Sequence, residues 1–321
     1  MTYLLSHRSA LEFWSNSQAK IALSGKRLRA KKPPTRLPDT RGFCKENPLG
    51  LSLPLHVLVG SSNARKVARN LHCHISSEEY PSGSFIEVAD GVMVCSPELC
   101  FIQMAEELSL AKLVLLGFEL CGRYRPGNKE DEARGFRDDL PLTSVAKLKA
   151  YLSKAPVIKG KKAASRALQF VVDNSASPME SILTILLTLP YRLGGYGLEM
   201  PLLNYPITIP GDTKKRTRKK LYLCDLFWPR QQIAVEYDSD DYHALKTQIA
   251  KDAIRRNDLI SAGITVIVTT RKQVRETGSL RELAEILGKL LNKRMRYQSK
   301  EFPARHANLR AEILSSASFY S

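Results

Sequence analysis

The chain has no Cys-x-x-Cys pair among its six cysteines, no run of about 18 apolar residues, and no visible internal repeat. The first absence argues against a zinc ribbon or a disulfide framework, so a reducing cytosol is the expected compartment. The second argues against a membrane-spanning helix. The start, "MTYLLSHRSALEFW", lacks a charged segment ahead of a long apolar core, so no signal peptide is expected. Acids are in short supply. There are 32 Asp and Glu against 49 Lys and Arg, a net charge of +17. Such an excess favours a polyanionic partner, nucleic acid being the commonest, although a solvated basic face gives the same count.

At 321 residues the chain exceeds one typical domain, and an apolar content of 43% is that of an ordinary globular protein. Three segments are expected. Residues 1–42 read as a helix, carrying Leu11, Phe13 and Trp14, followed by the basic, Pro-containing arm "GKRLRAKKPPTRLPDTRG". Residues 43–174 read as an α+β domain. "LPLHVLVG" and "SFIEVADGVMVCS" are strand-like, Ser96-Pro97 opens a helix, residues 122–144 form an exposed loop, and helices follow at 142–155 and 160–174. Residues 175–321 read as α-β-β-β-α-β with a terminal helix near 279–296, a mixed sheet with helices on its faces.

The stretch "LCDLFWPRQQIAVEYDSDDYH", residues 223–243, has the pattern of a buried hairpin interrupted by acids. A two-residue loop at Pro229-Arg230 pairs Trp228 with Gln231 and Asp225 with Ala234. Asp225, Ala234, Glu236 and Asp238 then share a face, with Asp225 and Glu236 as diagonal neighbours roughly 7–8 Å apart. Buried carboxylates without a counter-charge are very costly. Mg²⁺ or Mn²⁺ removes that cost, and the chemistry that fits is phosphodiester hydrolysis. The bland alternatives are a salt bridge from Asp225 to the basic cluster at 214–220, a turn-forming role for Asp238, and a surface position for His243.

Glu180 has two readings. Ser177-Pro178-Met179-Glu180 has the capping-box form, and Glu180 is equally placed to bring a third acid beside the hairpin; one rotamer is not expected to serve both. Asp252, Arg255 and Arg256 fall on one helix face, as an internal ion pair or as phosphate contacts. The basic turn, Lys214, Lys215, Arg216, Arg218, Lys219 and Lys220, suits a DNA backbone.

"CDLFWPRQQIAVEYDSDDYH" resembles the core of very-short-patch-repair (Vsr-like) endonucleases, a branch of the PD-(D/E)XK nuclease superfamily. "KDAIRRNDLISAGITVIVTT" resembles the helix and last strand of the same family. Ser96-Pro97 and Ser177-Pro178-Met179-Glu180 are similar to motifs of bacterial proteins that fuse a Vsr-like domain to an AbiE-type antitoxin-regulator-like region. The resemblance covers about 175–275 well and 50–175 loosely. It implies an α/β fold with a PD-(D/E)XK restriction-endonuclease-like core beside an N-terminal α+β domain. It also implies Asp225 and Glu236 as metal ligands, Glu180 as the helix acid and His243 as the assisting base; Asp238, from its place on the hairpin face, or Glu180 completes the acidic site. The superfamily's Glu-x-Lys is here Glu236-Tyr237-Asp238, so the usual lysine is missing; Lys246 and Lys251 are the nearby substitutes. The implied protein is a cytoplasmic, bacterial, Mg²⁺- or Mn²⁺-dependent endonuclease acting on double-stranded DNA in defence or repair. A protein partner would bind its N-terminal domain. The alternatives are a non-catalytic DNA-binding regulator on a degenerate nuclease fold, and an RNA-processing nuclease.

Overall fold

The computed structural model describes residues 2–16, 27–37, 49–127, 135–209, 220–238, 246–297 and 299–315, the side chains of 246–250 excepted. The architecture is mixed α/β, with mixed sheets flanked by helices. The chain divides into two compact units, Met1–Val171 and Val172–Ala317. Among the described residues no helix is long and apolar enough to cross a membrane.

The first unit is built on a five-stranded sheet. Its strands are β1 (Tyr3–Leu5), β2 (Leu55–Val59), β3 (Leu71–Ile75), β4 (Phe85–Ala89) and β5 (Val92–Cys95). Their order is β3-β2-β1-β5-β4, so β1 is the middle strand. It runs antiparallel to β2 and parallel to β5, and all three of its residues are buried. The helical spacing at the start of the chain is thus realised as this strand followed by α1 (His7–Ser15), whose Trp14 indole donates to the Cys95 carbonyl at 2.8 Å. The start of the described arm lies along β4, where Leu28 N–H donates to Phe85 O and Gly83 N–H donates to Leu28 O, each at 3.0 Å; further on, Lys31 O accepts from Tyr80 N–H and Pro34 O from Gly60 N–H.

Ser96 caps α2 (Pro97–Met104) by accepting from the Leu99 N–H, with Pro97 in the first turn. α3 (Leu110–Cys121) follows, capped by Ser109. The expected loop at 122–144 instead contains a small sheet, β6 (Tyr124–Pro126) with β7 (Phe136–Asp138). It is pinned by the buried Arg125 guanidinium, which donates to Glu119 O at 2.7 Å and Leu140 O at 2.8 Å. α4 (Val145–Lys154) and the short α5 (Lys161–Ala167) close the unit.

The second unit begins with α6 (Pro178–Thr188). Its apolar run is almost wholly buried, and the buried Thr184 and Thr188 hydroxyls are satisfied by donating back to Glu180 O (2.8 Å) and Thr184 O (2.7 Å). Then come β8 (Leu202–Ile209), β9 (Lys220–Trp228), β10 (Ile233–Asp238), α7 (Lys246–Ser261) and β11 (Thr265–Thr270). The sheet order is β11-β10-β9-β8, with β8, β9 and β10 antiparallel and β11 parallel to β10 across the α7 crossover. Leu259 of α7 packs in a cluster with Cys224, Phe227, Ala234 and Ile264. α8 (Arg271–Arg275) and α9 (Thr277–Leu290) follow. The last described helix, α10 (Phe302–Leu314), was not anticipated from the sequence; it packs against α6.

The hairpin register differs from the expected one. Its loop is four residues long, with Gln232 at φ 54°, and Trp228 pairs with Ile233 rather than Gln231. Continued without a break, this register sets Glu236, not Ala234, across from Asp225. A break does occur there. Tyr222 and Cys224 turn toward α7, and so does Phe227, so the period of two slips by one residue between them. The paired positions of β9 and β10 end at Leu226 and Val235. On the other side Asn204 sits at φ 47° and breaks the run of β8–β9 pairs opposite Asp225.

Candidate acidic site

The slip sets Asp225 in its place. The Asp225 carboxylate accepts the Tyr237 N–H at 2.7 Å, taking up a β10 donor where the ladder between β9 and β10 has ended. Asp225 is mostly buried, and its pKa is raised, by burial against the opposing effects of that N–H and of Arg255.

Glu180 enters from the first turn of α6. Ser177 caps the helix by accepting the Glu180 N–H at 3.2 Å. The Glu180 carboxylate reaches past the cap residue to the N–H of Ala176, 2.9 Å from Oε2. The same Oε2 accepts from Asn204 Nδ2 at 2.7 Å. This rotamer supports the helix start, and the charge of Asp225 acts on it. Burial first, and Asp225 second, push its pKa up to about 7.

Glu236, on β10, is the third acid. Its Oε2 accepts from Arg255 at 2.7 Å, and its Oε1 is buried without a hydrogen-bond partner. Burial and the neighbouring Asp225 push its pKa up to about 7 against the pull of Arg255. The adjoining Cys224 thiol is held protonated, pushed up to about 12 by burial and then by Glu236. Arg255 also donates to the Leu223 carbonyl, while its Nε is buried without a partner. So Arg255, read from sequence as a member of an internal ion pair on its helix or as a phosphate contact, is the basic group that meets Glu236. Sequence reasoning looked for a stand-in lysine at Lys246 or Lys251; the sign that could have found Arg255 was its place on the α7 face that returns over the hairpin.

A cleft of about 220 Å³ joins Asp225, Glu236 and Asp238 to Asp252, Arg255 and Arg256 of α7. Asp238 is exposed at the end of β10, in register with Thr270. Arg256 is exposed on α7. Lys220 pairs with Asp258 at 2.6 Å, and Asp258 also accepts from the Tyr222 hydroxyl at 2.6 Å. Hence the one described member of the basic turn is paired with Asp258, and among the described residues the basic group acting on Asp225 is Arg255. His243, Lys214, Lys215, Arg216, Arg218 and Lys219 lie outside the described residues.

The donor set is all carboxyl, the preference of a hard divalent cation, and the unpartnered Glu236 Oε1 is an acceptor in want of one. Among the described residues, no three acids, histidines or cysteines are already gathered about a single point. The adjacent unpartnered Arg255 Nε leaves a donor for an anion. Together they make a cleft with acceptors for a cation and a donor for an oxyanion.

No protein-family model matches the chain, and no solved structure matches it. Two uncharacterized proteins from two strains of Mycobacterium tuberculosis are each 29% identical to it over 123 residues, 38% of this chain. The chain spans 41% of the length of these curated relatives, so the similarity is one of a part and not of the whole.

Proposed function

We propose that the acidic cleft binds Mg²⁺ or Mn²⁺ and hydrolyses phosphodiester bonds in double-stranded DNA. The observation that carries the reading is the pair of buried acids Asp225 and Glu236, from adjacent strands, lining one cleft with Arg255 beside them. Buried acids whose pKa values are raised in a cleft are favoured candidates for function over plain structure. The order α6, β8, β9, β10, α7, β11 supports a PD-(D/E)XK-type core, and the net charge of +17 supports a nucleic-acid partner.

Asp225 and Glu236 would hold the cation, which polarises a phosphodiester and makes water a stronger nucleophile at neutral pH. Arg255 orients Glu236 through Oε2 and keeps its Nε for a phosphate oxygen. Glu180, with a pKa near 7 and its Oε2 occupied by Ala176 and Asn204, can accept a proton at Oε1. Asp238 widens the acidic rim. A defence or repair role, with a partner bound by the first unit, belongs to the same proposal.

The test is nicking of supercoiled plasmid with Mg²⁺, Mn²⁺ or EDTA, beside Asp225→Ala. Metal-dependent relaxation that the variant lacks supports the nuclease. Retention of DNA with no cutting under any metal overturns it and favours the non-catalytic DNA-binding regulator.

A further inference from the structure

Four of the six histidines meet in the first unit, far from the acidic cleft in sequence. His72 and His74 are two apart on β3, so they share one face of the strand. His56, on the neighbouring parallel strand β2, is the direct partner of His72. The His56 and His74 rings approach nitrogen to nitrogen, Nδ1 to Nε2, at 2.9 Å. The three ring centroids form a nearly equilateral triangle of 4.9, 5.1 and 4.6 Å. Zinc–imidazole bonds of about 2.0–2.1 Å at tetrahedral angles place ring centroids about 5 Å apart. The rings lie at the spacing of a facial set of three imidazoles, but the His56 and His72 planes are stacked 16° apart and the three nitrogens do not yet converge on one point.

We propose that His56, His72 and His74 form a site for a borderline divalent transition metal, with Zn²⁺ as the reference ion and a fourth position open to water or an anion. The His56–His74 contact is a hydrogen bond; the metal would displace its one proton to solvent or to the far nitrogen of that ring, leaving both facing nitrogens as ligands. His72 is exposed, so its ring turns freely to bring in the third. The backing of the site is rigid. His7 lies flat on His74, with centroids 3.4 Å apart and planes 8° from parallel. His7 itself is held by its N–H donating to Gln103 Oε1 at 3.1 Å and by Nδ1 against Ser6 Oγ at 3.1 Å. It adopts φ 46°, a left-handed conformation that a non-glycine residue takes at a cost and that is concentrated at binding and active sites.

The experiment uses untagged full-length chain carrying Asp225→Asn and Glu236→Gln, which silences the acidic cleft. Zn²⁺ binding is followed by equilibrium dialysis, and ligand geometry by the visible spectrum with Co²⁺. The expected result is one Zn²⁺ per chain, a tetrahedral Co²⁺ spectrum, and affinity lower by about 100-fold or more in His72→Gln. Because His72 is exposed, that variant is expected to melt with the parent in metal-free buffer. No binding, or binding unchanged by both His72→Gln and His74→Gln, overturns the proposal, as does an octahedral Co²⁺ spectrum. The outcome is independent of whether the acidic cleft cuts DNA.

Discussion

Glu180→Gln separates a helix cap from a working acid, because the two roles predict opposite signs. In the wild type the folded-state pKa is about 7 against an ordinary value of 4.5. A group whose folded pKa is raised contributes stability that is full below about 4.5 and lost as pH rises through about 7. At about 1.4 kcal/mol per pKa unit, the loss is about 3 kcal/mol. For a unit of this size that is a fall in Tm of about 6–12 °C between pH 5 and pH 8. The bonds from Ala176 and Asn204 enter Oε2, so an amide can keep its oxygen there and put its NH₂ at the Oε1 position. Glutamine therefore preserves the cap and removes the buried charge. Differential scanning calorimetry in metal-free buffer is expected to show the variant melting above the wild type at pH 8 and close to it at pH 5. Some slope persists in the variant, since Glu236 is shifted in the same direction. Mg²⁺ at pH 8 is expected to raise the wild-type Tm and to restore less in the variant. A wild-type Tm that is flat from pH 5 to 8, or a variant that is less stable at both ends, refutes the reasoning and reduces Glu180 to a cap.

Asp225→Asn keeps an acceptor for the Tyr237 N–H, so it is expected to hold its Tm while losing roughly 10³-fold or more in metal-dependent cleavage, read on plasmid DNA. Arg255→Met strands Glu236 without its cation and is expected to destabilise by about 1–3 kcal/mol at pH 8, measured by urea unfolding, and by less at pH 5, where Glu236 is protonated. Joint neutralisation of Lys214, Lys215, Arg216, Arg218 and Lys219 is expected to flatten the plot of log affinity for DNA against log salt; an unchanged slope removes them from the interface. Lys220→Ala, whose ammonium is already paired with Asp258, is expected to leave that slope nearly as it was.

The acids were legible in the sequence because their chemistry contradicts their setting: Asp225 and Glu236 stand among Leu, Phe, Ile and Val. Their mutual placement was not. It depends on a loop of four residues with Gln232 in a left-handed conformation, and on a one-residue slip beside Asn204, neither of which leaves a mark in hydrophobic periodicity. Glu180 was legible as a cap from Ser177-Pro178. That it also approaches Asp225 is a tertiary fact. The histidine group escaped notice because His7, His56 and His72 come from separate strands and a helix start, and only His72-Cys73-His74 is close in sequence. An alternating His pair in a strand was the available signal. β1 escaped because three apolar residues ahead of a helix carry no period.

That short middle strand also governs how the first unit can fail. Tyr3–Leu5 joins two halves of a sheet, β3-β2 on one side and β5-β4 on the other. Its partners lie more than fifty positions away in one direction and nearly ninety in the other, as the pairs Leu5 with Val57 and Tyr3 with Val92 show. Both halves must therefore wait for distant chain to be made before the sheet can close, a long loop closure that slows assembly. Until then, and after any loss of the strand, β2 and β5 each present a bare apolar edge of unpaired backbone groups. Such edges are templates for pairing between molecules, so aggregation is the characteristic hazard of this half of the protein.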